Sequence, residues 1–235
     1  MEDVIFNWAM PEKTKTYQPI SNESIHTLCK EQADANGLVI TDSTVNYKMG
    51  KNCVVKYRLE PKDFPTPDKE VSLMAAWKNG YDKQVSFGFA IGSVVNICTN
   101  GMVRGEFTLK RKHTGKIESV VESAVKEYFS RVKEEHLENL KFKRLLKEQE
   151  VSQKDLNEFL GALMRDPRKI MTQAQLRQFV KECEESKNFH TIGDGNFSAW
   201  DMYNAGTECL KTTASNIVFK KHIEFNDFTK EVLAL

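Results

Sequence analysis

The sequence predicts an α+β fold in which an antiparallel sheet of about five to six strands packs on a long helix and is followed by a helical region. Three observations carry this. Apolar residues alternate with a period of two between Val45 and Leu109, and the period changes to about 3.6 from Ile117 onward. Three Ser/Thr-x-x-Asp/Gln signatures then punctuate the rest of the chain. The chain divides accordingly into an N-terminal arm over residues 1–20, an α+β domain with the long helix over 21–150, and a helical region over 151–235 packed on the same domain.

The arm holds Trp8, Pro11, Tyr17 and Pro19 and shows no period. Ser21 or Asn22 caps a helix whose one face carries Ile25, Leu28 and Cys29, and Asn36-Gly37 ends it. Val45 and Tyr47, a turn at Gly50-Lys51-Asn52, and then Cys53, Val55, Tyr57 and Leu59 form a hairpin. Pro61, Pro65 and Pro67 mark a loop, and Val71 to Trp77 is a third strand closed by Asn79-Gly80. A fourth strand sets Val85, Phe87, Phe89 and Ile91 on one face and Ser86, Gly88 and Ala90 on the other, the pattern of a sheet closely covered on one side. A last hairpin joins residues 94–98 to 102–109 through Asn100-Gly101.

No Pro or Gly lies between Lys116 and Val151. The stripe Ile117, Val120, Val121, Ala124, Val125, Tyr128, Phe129 and Val132, roughly continued by Leu137, Leu140, Leu145 and Leu146, therefore predicts one helix of ~30 residues. Such a helix outruns a small sheet, so its distal leucines need cover from the following helices or from a second subunit. The short connection at Glu150-Val151 favours the intrachain solution. The following helices open at Ser152-x-x-Asp155, Thr172-x-x-Gln175 and Ser198-x-x-Asp201, and the first stops at Asp166-Pro167. The tail from Ile217 mixes Phe219, Ile223, Phe225 and Phe228 with charges and takes no firm assignment.

Composition bounds the function. The 235 residues are 40% hydrophobic and 29% charged, which excludes collagenous and fully disordered chains. Lys and Arg number 34 against 33 Asp and Glu, a net charge of +1, which excludes a globally basic nucleic-acid binder and leaves room for a local basic patch. Met1-Glu2-Asp3-Val4 is acidic where a signal peptide is basic. The longest apolar stretch, Val85 to Cys98, is broken by Gly88, Gly92, Ser93 and Asn96. The expectation is a cytoplasmic protein without a membrane segment. Five isolated cysteines without a CxxC pair, and five histidines without HxH or HxxxH spacing, point away from a disulfide framework, a metal site and a cofactor.

The densest candidate site is the run Arg104, Lys110, Arg111, Lys112, His113 and Lys116, which holds a single acid, Glu106. It leaves a strand and enters the long helix, where unpaired amides and basic side chains together suit a phosphate or carboxylate. The same run also reads as a solvated edge strand whose lysines discourage pairing. Cys98 reads as packed core; a nucleophilic role needs a base such as His113 beside it. Trp200, Tyr203, Asn204 and Thr207 share one face of a helix and form either a structural polar network or a site.

Three stretches, taken in order, carry a family likeness. They are Asn79-Gly80-Tyr81-Asp82 with Phe87-Gly88-Phe89, then Asn96-Ile97-Cys98-Thr99-Asn100-Gly101-Met102, then Lys110-Arg111-Lys112-His113-Thr114-Gly115. With Trp200-Asp201-Met202-Tyr203-Asn204 and Glu208 they resemble the "phage/plasmid-like protein" family of unknown function over roughly residues 70–215, departing from it at Lys83. The resemblance implies a gene of bacteriophages, plasmids or their bacterial hosts. It supplies no catalytic residue, and leaves Tyr81, Asp82, Cys98, Asn100, Gly101, Trp200, Tyr203, Asn204 and Glu208 as motif residues without a role. The functional expectation is a non-enzymatic accessory protein that binds the phosphates of single-stranded DNA or another nucleic acid through the basic strand–helix junction. The alternatives are an oligomeric or protein-binding component, partnered by itself or by a phage or host protein, and a Cys/His-dependent enzyme.

Overall fold

The structure, a computed structural model, describes residues 3–62, 70–95, 101–214 and 216–234. It is α+β. Five strands, β1 (Leu38–Lys48), β2 (Asn52–Pro61), β3 (Val71–Gly80), β4 (Phe87–Val95) and β5 (Gly101–Arg111), pair antiparallel with their sequence neighbours in the order β1-β2-β3-β4-β5. The hairpin read from alternation is present: Val45 faces Val55 and Tyr47 faces Cys53, with Gly50 at φ +64° in the turn. The expected fourth strand and the first limb of the last hairpin are one element, β4, with a register shift between Ala90 and Gly92.

Pleating gives the sheet two unlike faces. The inner face carries Val55, Tyr57, Trp77, Phe87 and Phe89 and packs under α2 (Asn22–Ala35) and α3 (Ile117–Ser130). The outer face carries Val54, Met74, Ala76 and Ala90 and is covered by α8 (Val218–Leu233) through Val218 and Phe219. The tail that had no assignment is thus the helix that the small residues of β4 admit. α2 starts where expected, Ser21 accepting from the Ser24 amide at 3.4 Å, and the arm adds the one-turn α1 (Asp3–Phe6).

The expected single long helix is two, α3 and α4 (Val132–Glu148), broken at Arg131. The last turn of α3 tightens: the Ser130 hydroxyl donates to the Glu127 carbonyl at 2.7 Å and the Arg131 amide to Tyr128 at 3.2 Å. The buried stripe keeps its phase across the break, Phe129, Val132, His136, Asn139, Lys143 and Leu146 following one another at steps of three and four. α4 turns Val132, Glu135, His136, Asn139, Phe142, Lys143 and Leu146 inward, while Leu137 and Leu145 are 65% and 37% exposed. Leu140 and Leu146 pack into the helical region, so the intrachain cover applies to those two leucines and not to the other two.

That region is built of α5 (Gln153–Arg165), α6 (Gln173–Glu185) and α7 (Ala199–Leu210), each opened by the predicted capping box at Ser152, Thr172 and Ser198. Its core joins Phe142 of α4 to Phe159, Phe179, Tyr203, Phe225 and Phe228. Between this core and the sheet core lies a polar step. Asn139 Nδ2 donates to Ser93 Oγ (3.2 Å) and to Glu135 Oε1 (3.1 Å), and the Ser93 hydroxyl is also hydrogen-bonded to His136 Nδ1 at 3.2 Å.

Gly206 is where α7 meets the Phe225 ring, and a Cβ there would overlap it. Gly206→Ala should lower stability by about 1–3 kcal/mol through overpacking, read as a fall in the urea midpoint; an unchanged midpoint would mean that the ring is free to move aside.

Candidate functional site

The basic run lies on β5, at the end of the sheet order, and on its connection to α3. Alternation along the strand divides it. Lys110 pairs with Gly88 and belongs to the outer face, whereas Arg111 pairs with Phe87 and belongs to the opposite one. Lys110, Arg111, Lys112 and Lys116 are exposed, and Lys116 precedes α3, whose N-terminus has no side-chain cap. A cleft of about 600 Å³ opens there, lined by Lys116, Gly115, Gln18 and Lys13, with Glu12 and Glu118 on its walls. The Arg104 side chain, and Cys98 and Asn100 altogether, lie outside the described residues; Gly101 opens β5 opposite Val94.

His113 does not join the cations. It is buried, its Nδ1–H donates to the Gln18 carbonyl at 3.3 Å, and its ring lies 5.4 Å from that of Tyr17. The Gln18 amide in turn donates to the His113 carbonyl at 2.7 Å. Burial pushes the imidazole pKa down, against the pull of the Gln18 and Val85 carbonyls. A backbone acceptor and a desolvated ring make it a neutral clasp for the arm, so the expected anion contact from His113 is replaced by a structural one.

The Asn79-to-Asp82 element completes that clasp. Asn79 Nδ2 donates to the Ile20 carbonyl and to Asn22 Oδ1, each at 2.8 Å. The Tyr17 hydroxyl donates to the Gly80 carbonyl at 3.0 Å, and the Asn22 amide to the Tyr81 hydroxyl at 3.1 Å. Asp82 accepts from Asn52 Nδ2 at 3.2 Å and from the Gln84 amide at 3.0 Å. Lys83, where the chain departs from the family pattern, has φ +62° and sets its ammonium 5.2 Å above the Tyr17 ring.

The Trp200 element sits far along the chain in α7 and is core. Trp200 stacks on Tyr203 (6.0 Å), Tyr203 stacks on Phe225 (5.6 Å), and Asn204 Nδ2 donates to the Trp200 carbonyl at 2.8 Å. Glu208 pairs with Lys211 at 2.7 Å. The described motif elements, Asn79 to Asp82 with His113 and the Trp200 element, therefore divide between an arm clasp and the helical core. Among the described residues no group of three or more His, Cys, Asp or Glu side chains is placed to hold a metal, and no helix is long and apolar enough to cross a membrane.

Residues 12–229 match the family described as "Domain of unknown function (DUF932)". The chain belongs to this family. No curated protein and no solved structure matches the chain. In this DUF932 domain two cationic features have no signal in the linear sequence. One is Lys78, buried on the outer face; the other is a groove of about 480 Å³ lined by Lys48, Lys56, Lys211 and His222. Strand pairing and the return of α8 bring these residues together.

The clasp has a pH sign. Because the folded His113 is held below its unfolded value of about 6.5, its contribution to stability is present above that pH and is lost as pH falls through the folded pKa. Lowering the pH from about 7.5 to 5 should loosen the arm, seen as faster proteolysis within residues 8–20. His113→Phe, which keeps the ring contact with Tyr17, should flatten that dependence; an equal pH effect in this variant would remove His113 as the cause.

Proposed function

We propose that this DUF932 domain binds nucleic-acid phosphates without catalysis, through the exposed cations of the β5–α3 junction, and serves as an accessory factor of a phage or plasmid. The observation that carries the reading is local charge. Lys110, Arg111, Lys112 and Lys116 are exposed, and among the described residues none of them is in an ion pair, in a chain of net charge +1. Their division between two faces of an edge strand suits a polyanion that crosses the edge, gripped from both sides. Lysine and arginine contacts to phosphates carry no base information, so binding is sequence-independent, with single-stranded DNA as the leading ligand. The mobile-element role draws on the motif resemblance alone.

Fluorescence anisotropy with labelled single- and double-stranded oligonucleotides at two salt concentrations tests this. Binding should appear at low salt, and an Arg111→Ala/Lys112→Ala variant should weaken it equally across sequences. The salt slope on single strands should flatten by about 0.7 per lost contact. No binding at low salt, or unchanged affinity in the variant, would overturn the reading.

A second reading has its own support. Leu137 and Leu145 lie eight residues apart along α4 and are both exposed, which suits burial against a second copy of the chain. Light scattering that shows a concentration-independent monomer would dismiss it.

A further inference from the structure

Strand pairing sets one row of residues across the inner face of the sheet, beside the β1–β2 turn. Tyr47 faces Cys53, Cys53 faces Asn79, and Phe87 faces Arg111. Lys78 faces Gly88, so the same register sets Asn79 beside Phe87 and completes the row. Tyr47 and Arg111 are therefore its two ends, four strand spacings or about 19 Å apart. The arm covers the middle of the row through the Asn79 bonds to Ile20 and Asn22, and both ends stay exposed.

The Tyr47 end is braced. Its ring meets that of Trp8 at 72° with centroids 6.0 Å apart, and Trp8 meets Tyr81 at 70° and 6.3 Å. Tyr47 still leaves 43% of its surface in water. A ring already ordered in this way loses little rotamer freedom when a flat partner covers it. The rim between the two ends is tied together as well. The Tyr81 amide donates to the Lys51 carbonyl at 2.6 Å and Asn52 Nδ2 to Asp82 at 3.2 Å, which fastens the β3–β4 connection to the β1–β2 turn. Lys48, Lys51 and Lys83 are exposed on this rim, and Asp82, the acid among them, accepts from Asn52 and from the Gln84 amide.

A ligand suited to this strip joins a flat apolar group to a chain of anions, and a single nucleic-acid strand offers both. A duplex keeps its base faces inside its own stack. We propose that this end of the sheet is a stacking platform for an unpaired base, which lies on Tyr47 while Lys51 and Lys83 lead the phosphates toward Arg111 and Lys112. The platform presupposes the nucleic-acid reading of the junction and adds the residue that selects single strands over duplexes.

Anisotropy on the full chain with three ligands of equal length tests it: oligo-dT, the same backbone carrying abasic sites, and a duplex. The wild type should bind oligo-dT about tenfold more tightly than the abasic strand, the gain from one stacked base. Tyr47→Leu, which keeps an apolar side chain against Trp8, should abolish that preference with an unchanged salt slope, because no phosphate contact is lost. Tyr47→Phe should restore it. The abasic comparison needs the wild type alone, so the test holds if Tyr47→Leu fails to fold. Equal affinity of the wild type for the two strands, a preference that survives Tyr47→Leu, or an equal loss on the duplex would overturn the platform; the first is also the result if the patch serves a protein partner instead. Arg111→Ala/Lys112→Ala separates the two proposals. It should weaken all three ligands and keep the preference for bases. If it changes nothing while Tyr47→Leu removes the preference, the junction reading falls and the platform stands. If it weakens binding while the preference survives Tyr47→Leu, the platform falls and the junction stands.

Discussion

The end of the sheet is gripped between two helices, one on each face, and the joining of the two cores depends on that grip. On the inner face α4 contributes Val132 to the sheet core and Phe142 and Leu146 to the helical core. On the outer face α8 contributes Val218 and Phe219 against the strands, and Phe225 and Phe228 to the helical core. The outer grip is possible because Ala76, Gly88 and Ala90 present almost no side chain, so the helix approaches close to the strands. Larger residues there would lift α8 and open the space that now holds Lys78.

Much of this was legible in the linear sequence where the determinants are local. A capping box needs a residue and its neighbour three positions on, and all three appear where Ser152, Thr172 and Ser198 place them. The Tyr47–Cys53 hairpin and the small-residue face of β4 were equally readable, because a strand shows its faces in every second residue. The α3–α4 break was not. It follows from a tightened turn at Ser130 and Arg131, and Leu137 and Leu145 lie off the stripe that Val132, His136, Asn139, Lys143 and Leu146 continue. The inward face of α4 is written instead in Glu135, His136 and Asn139, whose burial makes sense only once Ser93 stands opposite.

The candidate site divides in the same way. The cationic run was visible as local charge, but its distribution over two faces of β5 emerges only from the pairing with Phe87 and Gly88. The motif residues nearby turn out to be fastenings. Asn79, Gly80, Tyr81 and His113 hold Tyr17 to Asn22 in place, and Arg111 and Lys112 are left facing water beside a rigid clasp. A fixed arm next to a charged strand end lets cations meet a ligand without first ordering the backbone that carries them.

The order of elements along the chain has a consequence for how the protein is made. The sheet is a meander in which each strand pairs with the one just synthesised, and the caps of α5, α6 and α7 are closed by residues three positions apart, so these parts assemble from short-range contacts. α8 is different. It lies C-terminal to every element it joins, so Val54, Met74 and Ala76 wait uncovered on the ribosome until its residues emerge. Closure of the outer face is then a late docking event, and the nascent chain carries an apolar sheet face in search of a partner until that event occurs.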